Sequence, residues 1–198
     1  MKTVRITEWV DIRAPRPEIF DLIVNIKRRM QLSPLWGITN VESPTSDYPN
    51  EGSSYNVEIL GTEGSRFETV ITKFLPAKKL AYQSRYENTA NVTWHLLDIQ
   101  QGTRIIYTEE FLAEEADSEE LQQSVRKIVK EWLSNLRRYS ELRGNWTKQL
   151  ARKLVDRFYI EQMPPQRKTI VTVLIMQSIG ALTFIMATLA VGAAIFLK

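Results

Sequence analysis

The chain has no cysteine and one histidine, His95, in 198 residues. Those two absences remove thiol nucleophiles, disulfide frameworks and Cys/His zinc sites, and the missing thiols agree with a reducing compartment. A lone histidine, with no serine partner at a recognisable spacing, also excludes a nucleophilic triad, so no catalytic residue, metal ligand or cofactor is expected. Glycine is scarce at 8 residues, and Gly61-Thr62-Glu63-Gly64 lacks the Gly-Lys ending of a phosphate loop and reads as a hairpin turn. The opening residues 1–11 alternate polar with apolar and lack the apolar stretch of a secretory signal, so they read as mature sequence.

The most extended absence is of charge: residues 169–197 contain no Asp, Glu, Lys or Arg. These 29 residues would reach roughly 43 Å as a helix, more than the ~30 Å a hydrocarbon core demands, and their polar members are mostly hydroxyls able to bond back to the helix. A single transmembrane helix is expected. Lys148, Arg152, Lys153, Arg157, Arg167 and Lys168 precede it and only Lys198 follows, which places the N-terminal domain in the cytoplasm and gives a tail-anchored, single-pass arrangement. Residues 1–144 carry 19 Lys/Arg against 21 Asp/Glu, whereas 145–168 carry 6 against 2. The pI of about 9.1 therefore comes from the stretch before the span, and no nucleic-acid partner is expected.

Three segments follow: a domain over 1–143, a basic amphipathic juxtamembrane segment over 144–168, and the span over 169–197. In the middle segment Trp146, Leu150, Leu154 and Phe158 recur at helical spacing, with Lys148, Arg152, Lys153 and Arg157 on other faces. Such a helix is expected to lie on anionic lipid; the alternative is a water-exposed continuation of the preceding helix. Pro164-Pro165 ends it. Thr188 with Gly192, and Ala190 with Ala194, offer small residues to a transmembrane helix partner.

Within 1–143 the alternation of Val4, Ile6, Val10 and Ile12 predicts a half-buried strand. Ala14-Pro15-Arg16-Pro17 stops it, a short helix follows over Glu18–Ile23, and a second basic turn or two over Ile26–Leu32 ends at Ser33-Pro34. An edge strand is expected around 38–42. Strands then recur over 53–60, 66–75, 79–86, 91–100 and 103–112, with connections short enough for an antiparallel meander. From 117 to 143 the period changes, and Leu121, Val125, Ile128, Val129, Trp132, Leu136 and Tyr139 form one stripe of a long helix. A helix with one apolar face after a curved sheet lays that face on the concave side, so the predicted class is α+β with helix-grip architecture.

The runs Ile12-Arg13-Ala14-Pro15-Arg16-Pro17-Glu18-Ile19-Phe20-Asp21-Leu22-Ile23, Asn25-Ile26-Lys27-Arg28-Arg29-Met30, Ser33-Pro34-Leu35-Trp36 and Val41 resemble the START-like, or SRPBCC, superfamily, of the polyketide cyclase/lipid-transport and coenzyme-Q-binding type. In that superfamily a strand ends in Ala-Pro, a helix carries an aliphatic-aromatic pair, and an Asp precedes a Pro-x-Trp-like segment. This chain has Asn25 where Asp is common and extra residues before Ser33-Pro34. The resemblance covers roughly 1–143 and implies a ligand cavity between sheet and helix.

Parity assigns the lining of such a cavity: Tyr55, Val57 and Ile59; Leu80, Tyr82, Ser84 and Tyr86; Val92, Trp94 and Leu96; Ile105, Tyr107, Glu109 and Phe111. Trp36, Trp132 and Leu136 complete it. Aromatics with polar tips suit an amphipathic ligand; equally, these side chains could simply fill the interior. Glu8 and Glu109 interrupt apolar faces and are expected either to point into the cavity for ligand orientation or acid/base work, with pKa values raised by desolvation, or to mark a bulge or a salt bridge to Arg104 or another basic group at the sheet rim. His95 has the opposite parity to Trp94 and should face solvent. Membrane-tethered binding or transfer of a hydrophobic or amphipathic small molecule, a lipid or isoprenoid, is the expected function. A cyclase/aromatase-type cavity enzyme and a scaffold with a collapsed interior remain as alternatives.

Overall fold

The computed structural model describes residues 1–34, 38–42, 44–59, 66–85, 89–114 and 118–160, together with 177, 180, 183, 184 and 186. Two compact units divide the chain, Met1–Glu161 and Gln162–Lys198. The first begins with strand β1 (Lys2–Ile12), helix α1 (Arg16–Val24) and helix α2 (Ile26–Gln31). Strands β2 (Ile38–Val41), β3 (Ser54–Ile59), β4 (Arg66–Leu75), β5 (Lys79–Arg85), β6 (Thr89–Ile99) and β7 (Gly102–Ala113) follow. Helix α3 (Ser118–Ser140), helix α4 (Trp146–Leu154) and a π-helical turn over Val155–Ile160 complete it.

The breaks are local chemistry. Proline at 15 and 17 is tolerated at the start of α1, where backbone N–H groups have no intrahelical partner anyway. Asn25 separates α1 from α2 and caps the latter, its side-chain oxygen accepting from the Arg28 amide at 3.0 Å.

All seven strands pair antiparallel in the order β1-β7-β6-β5-β4-β3-β2, so only the β1 to β7 pairing joins distant chain segments. Register stacks the inward side chains into rows. One row runs Glu8, Tyr107, Trp94, Leu80; the next runs Ile6, Glu109, Val92, Tyr82, Ile71. Between Ile71 and Lys73 the β4–β5 register shifts, which brings Phe74 back towards the core beside Phe20, ring centroids 5.7 Å apart.

Helix α3 covers this face. Val129, Trp132, Leu133, Leu136 and Tyr139 are buried at helical spacing while Arg126, Lys127, Lys130 and Arg137 stay exposed. The Trp132 ring meets Trp94 edge-on at 5.1 Å and Tyr107 at 6.0 Å. Its indole N–H donates to the Arg29 carbonyl at 3.0 Å, and the Asn135 amide donates to the Leu32 carbonyl at 3.2 Å, so α3 also fastens α2. His95 faces solvent, as its parity requires. Trp36 and Tyr86 lie outside the described residues, as do Pro164-Pro165 and most of 169–197.

Two positive-φ glycines test the turns. At Gly102, φ +141, an added Cβ would sit 2.1 Å from the Ile12 carbonyl oxygen, whereas at Gly52, φ +90, it would meet nothing within 4 Å. Gly52→Ala is expected to cost about 1 kcal/mol, the conformational term alone, and Gly102→Ala clearly more, because β1 must also move. Urea unfolding midpoints of the two variants check the order.

Candidate functional site

The inward rows bury most of the residues that parity selects. Tyr55, Val57, Leu80, Tyr82, Val92, Trp94, Leu96, Ile105 and Tyr107 are buried, as are Trp132 and Leu136 above them. They do not all face the same space. A cavity of about 230 Å³ opens between α3 and the β4 to β7 portion of the sheet, and Tyr82, Tyr107, Glu109 and Trp132 stand in its wall. Tyr55, Val57, Trp94 and Leu136 belong to the packed core beside it. Ser84 and Val92 share the cavity wall, and Met30, Phe67, Thr69 and Val129 are lining residues that strand parity did not single out.

The two carboxylates separate. Glu8 lies on the inward side of β1, but Arg126 Nε at 3.1 Å and Lys130 Nζ at 3.9 Å reach down from α3 to neutralise it. It is a fastening between sheet and helix. Glu109 enters the cavity, flanked across the sheet by Ile6 and Val92, and accepts the Tyr107 hydroxyl at 2.7 Å. Burial raises its pKa above the ordinary 4.5, and the Tyr107 bond opposes that rise. The Tyr107 phenol is in turn held well above its ordinary range, by burial first and by the adjacent carboxylate second.

Arg29 is the polar residue that sequence reasoning missed. It is fully buried, donating through Nη1 to the Ile23 carbonyl at 2.7 Å and through Nη2 to the Tyr55 hydroxyl. Its guanidinium lies 5.7 Å from the Tyr55 ring centroid and 5.1 Å from that of Tyr82. Burial pushes Tyr48, the third phenol of this group, up to about 12 against the opposing pull of Arg29. No carboxylate bonds to Arg29 among the described residues, and its Nε has no hydrogen-bond partner there. The only signal in the sequence is the position of Arg29 next to Met30 on a short basic helix, where a third basic residue in succession, after Lys27 and Arg28, reads as solvated surface.

The basic amphipathic segment is divided in the same way. Trp146, Leu150 and Leu154 form an exposed ridge along α4, with Trp146 75 % exposed, and Lys148 and Lys153 are exposed beside it. Arg152 turns inward instead: it pairs with Glu18 at 3.2 Å and stacks 4.9 Å from the Tyr139 centroid. Arg143 also pairs with Glu18, so α4 is clamped to α1 and α3. Arg157 is exposed on the turn that follows.

No family model and no curated protein matches this chain. Among solved structures, CV1439 from Chromobacterium violaceum superposes at a TM-score of 0.55 with 16 % identity, over 70 % of this chain and 97 % of its own. The Aha1 dimer from Colwellia psychrerythraea gives 0.52 with 15 % identity, over 70 % and 96 %. DynU16, from the dynemicin biosynthetic locus, gives 0.48 with 16 % identity, and this chain spans 46 % of its length. The fold is a helix grip. Val129 and Trp132 of the gripped helix share the cavity wall with Glu109.

Because Glu109 binds its proton more tightly folded than unfolded, its contribution favours folding at acid pH and is lost as pH rises from the unfolded pKa through the raised folded one. Glu109→Gln is therefore expected to gain stability relative to wild type between about pH 4 and about pH 7. Urea unfolding at the two pH values checks the sign; no relative change would mean that Glu109 is solvated.

Proposed function

We propose that this protein is a START-like, SRPBCC-type carrier that binds a hydrophobic or amphipathic small molecule in the cavity beneath α3, at the cytoplasmic face of a membrane. The observation that carries the reading is the cavity: a partly open, mostly apolar pocket of about 230 Å³ whose wall holds the hydrogen-bonded Glu109 carboxyl and Tyr107 hydroxyl. A volume of about 230 Å³ accommodates one small apolar body. A single isoprenoid unit chain or a fused-ring compound fits that size.

Membrane tethering rests on the sequence. Residues 169–197 carry no charge and follow Arg167-Lys168, a pattern suited to a transmembrane helix with the domain on the cytoplasmic side. Among the described residues no helix is long and apolar enough to cross a membrane, and most of this run lies outside them. The Trp146, Leu150, Leu154 ridge with Lys148 and Lys153 supports a lipid-facing α4. A tether would hold the cavity where apolar ligands partition.

The enzyme reading draws on one observation, the paired Tyr107 hydroxyl and Glu109 carboxyl in the cavity wall, a juxtaposition able to move a proton. It differs from carriage by requiring a ligand recovered chemically altered.

The neutral fluorophore N-phenylnaphthylamine is expected to bind the full chain, and Val129→Trp, which narrows the cavity, is expected to reduce that affinity at least about tenfold while circular dichroism stays native. Equal binding by both proteins would locate the ligand elsewhere. Alkaline extraction of membranes is expected to leave the full chain in the pellet; release to the supernatant would remove the tether.

A further inference from the structure

Among the described residues the cavity wall has one carboxyl group, Glu109, and the bases of α3 nearest it are already committed. Glu109 sits in its row between Ile6 and Val92, so hydrocarbon flanks it on both sides. Among the described residues Tyr107 is its one hydrogen-bond partner, at 2.7 Å to a single carboxyl oxygen, which leaves acceptor capacity facing an apolar space. The bases α3 brings to this face, Arg126 and Lys130, are spent on Glu8. Arg29 stands 5.1 Å from the Tyr82 ring centroid, and its guanidinium donates to the Ile23 carbonyl and the Tyr55 hydroxyl.

We infer that Glu109 receives a protonated nitrogen, so that the ligand class of this cavity is a hydrophobic amine whose apolar body lies under Val129 and Trp132. A buried carboxylate is costly unless paired, and a charge-assisted N–H···O bond is roughly twice as strong as a neutral one. Tyr107 and Trp132 stand in the same wall with ring centroids 6.0 Å apart, and an aromatic face within about 6 Å of a ligand cation attracts it. A neutral alcohol fills the same volume and can donate to Glu109, but it brings no charge. A carboxylate of equal size meets Glu109 as a like charge.

This inference rests on the cavity reading, and three probes sharing one naphthyl body separate the two. Naphthylethylamine, naphthylethanol and naphthylacetate are titrated calorimetrically into the full chain in zwitterionic lipid nanodiscs, with empty nanodiscs as the blank. The amine is expected to bind at least about tenfold tighter than the alcohol, and the acid weakest. Glu109→Gln is expected to bring the amine down to the affinity of the alcohol while leaving the alcohol unchanged. Glu8→Gln, which loosens α3 without touching the cavity, should preserve the amine preference. Equal binding of amine and alcohol, a preference for the acid, or an amine preference that survives Glu109→Gln overturns the inference while the cavity stands. Failure of all three probes to bind overturns the cavity together with it.

Discussion

The interaction on which the rest of the domain depends is the seating of Trp132 on the concave sheet. Its ring meets Trp94 and Tyr107, while its indole N–H reaches the carbonyl of Arg29. One side chain thus joins three layers: the sheet below, the long helix that carries it, and the short helix α2 at the side. Aromatic pairs of this kind contribute about 0.5–1.5 kcal/mol each beyond the area they bury, and the indole bond satisfies a donor that would be costly left alone. With Trp132 seated, α3 is held close enough for Arg126 and Lys130 to reach Glu8, and far enough from Tyr82 and Glu109 to leave a space unfilled.

Beside and within the wall of that space, ionisable groups follow one another in an unusual order. Arg29 stands among Tyr48, Tyr55 and Tyr82; Tyr82 shares the cavity wall with Tyr107; Tyr107 bonds to Glu109. Positive charge is thus buried at one side and acid at the other, separated by phenols that burial keeps protonated. A guanidinium cannot shed its proton, so the phenol oxygens and the Ile23 carbonyl are what make its burial tolerable. Replacing such a group by hydrocarbon is often neutral for stability, which makes its retention here a matter of geometry as much as of energy. Its guanidinium lies over the Tyr82 ring, and Tyr82 lines the cavity.

Much of this was legible from residue order. The succession of strands, the two short helices and the long α3 follow from period and punctuation to within three residues at their ends, because alternation and helical spacing are local properties with few competing solutions. Facing was legible too: Tyr55, Tyr82, Trp94 and Tyr107 are inward because β parity admits two choices and an apolar row selects one. Division of that inward set was not. Trp94 is packed core and Glu109 is cavity wall although both obey the same parity, because whether a gap exists depends on where α3 rests. The fates of Glu8 and Arg152 were hidden for a related reason: a charge on an inward face is a ligand group or a fastening according to what another element brings to it.

Sequence alone determined the period of each element, the order of strands and helices, the face each strand turns inward, and the uncharged run after residue 168, since all of these are written in neighbouring side chains. Tertiary structure decided which inward residues enclose a space, that Arg29 is buried among phenols, and that Arg152 clamps α4 to α1. Those outcomes depend on distances between elements remote in the chain, and such distances are set by the packing of whole side chains across a curved sheet.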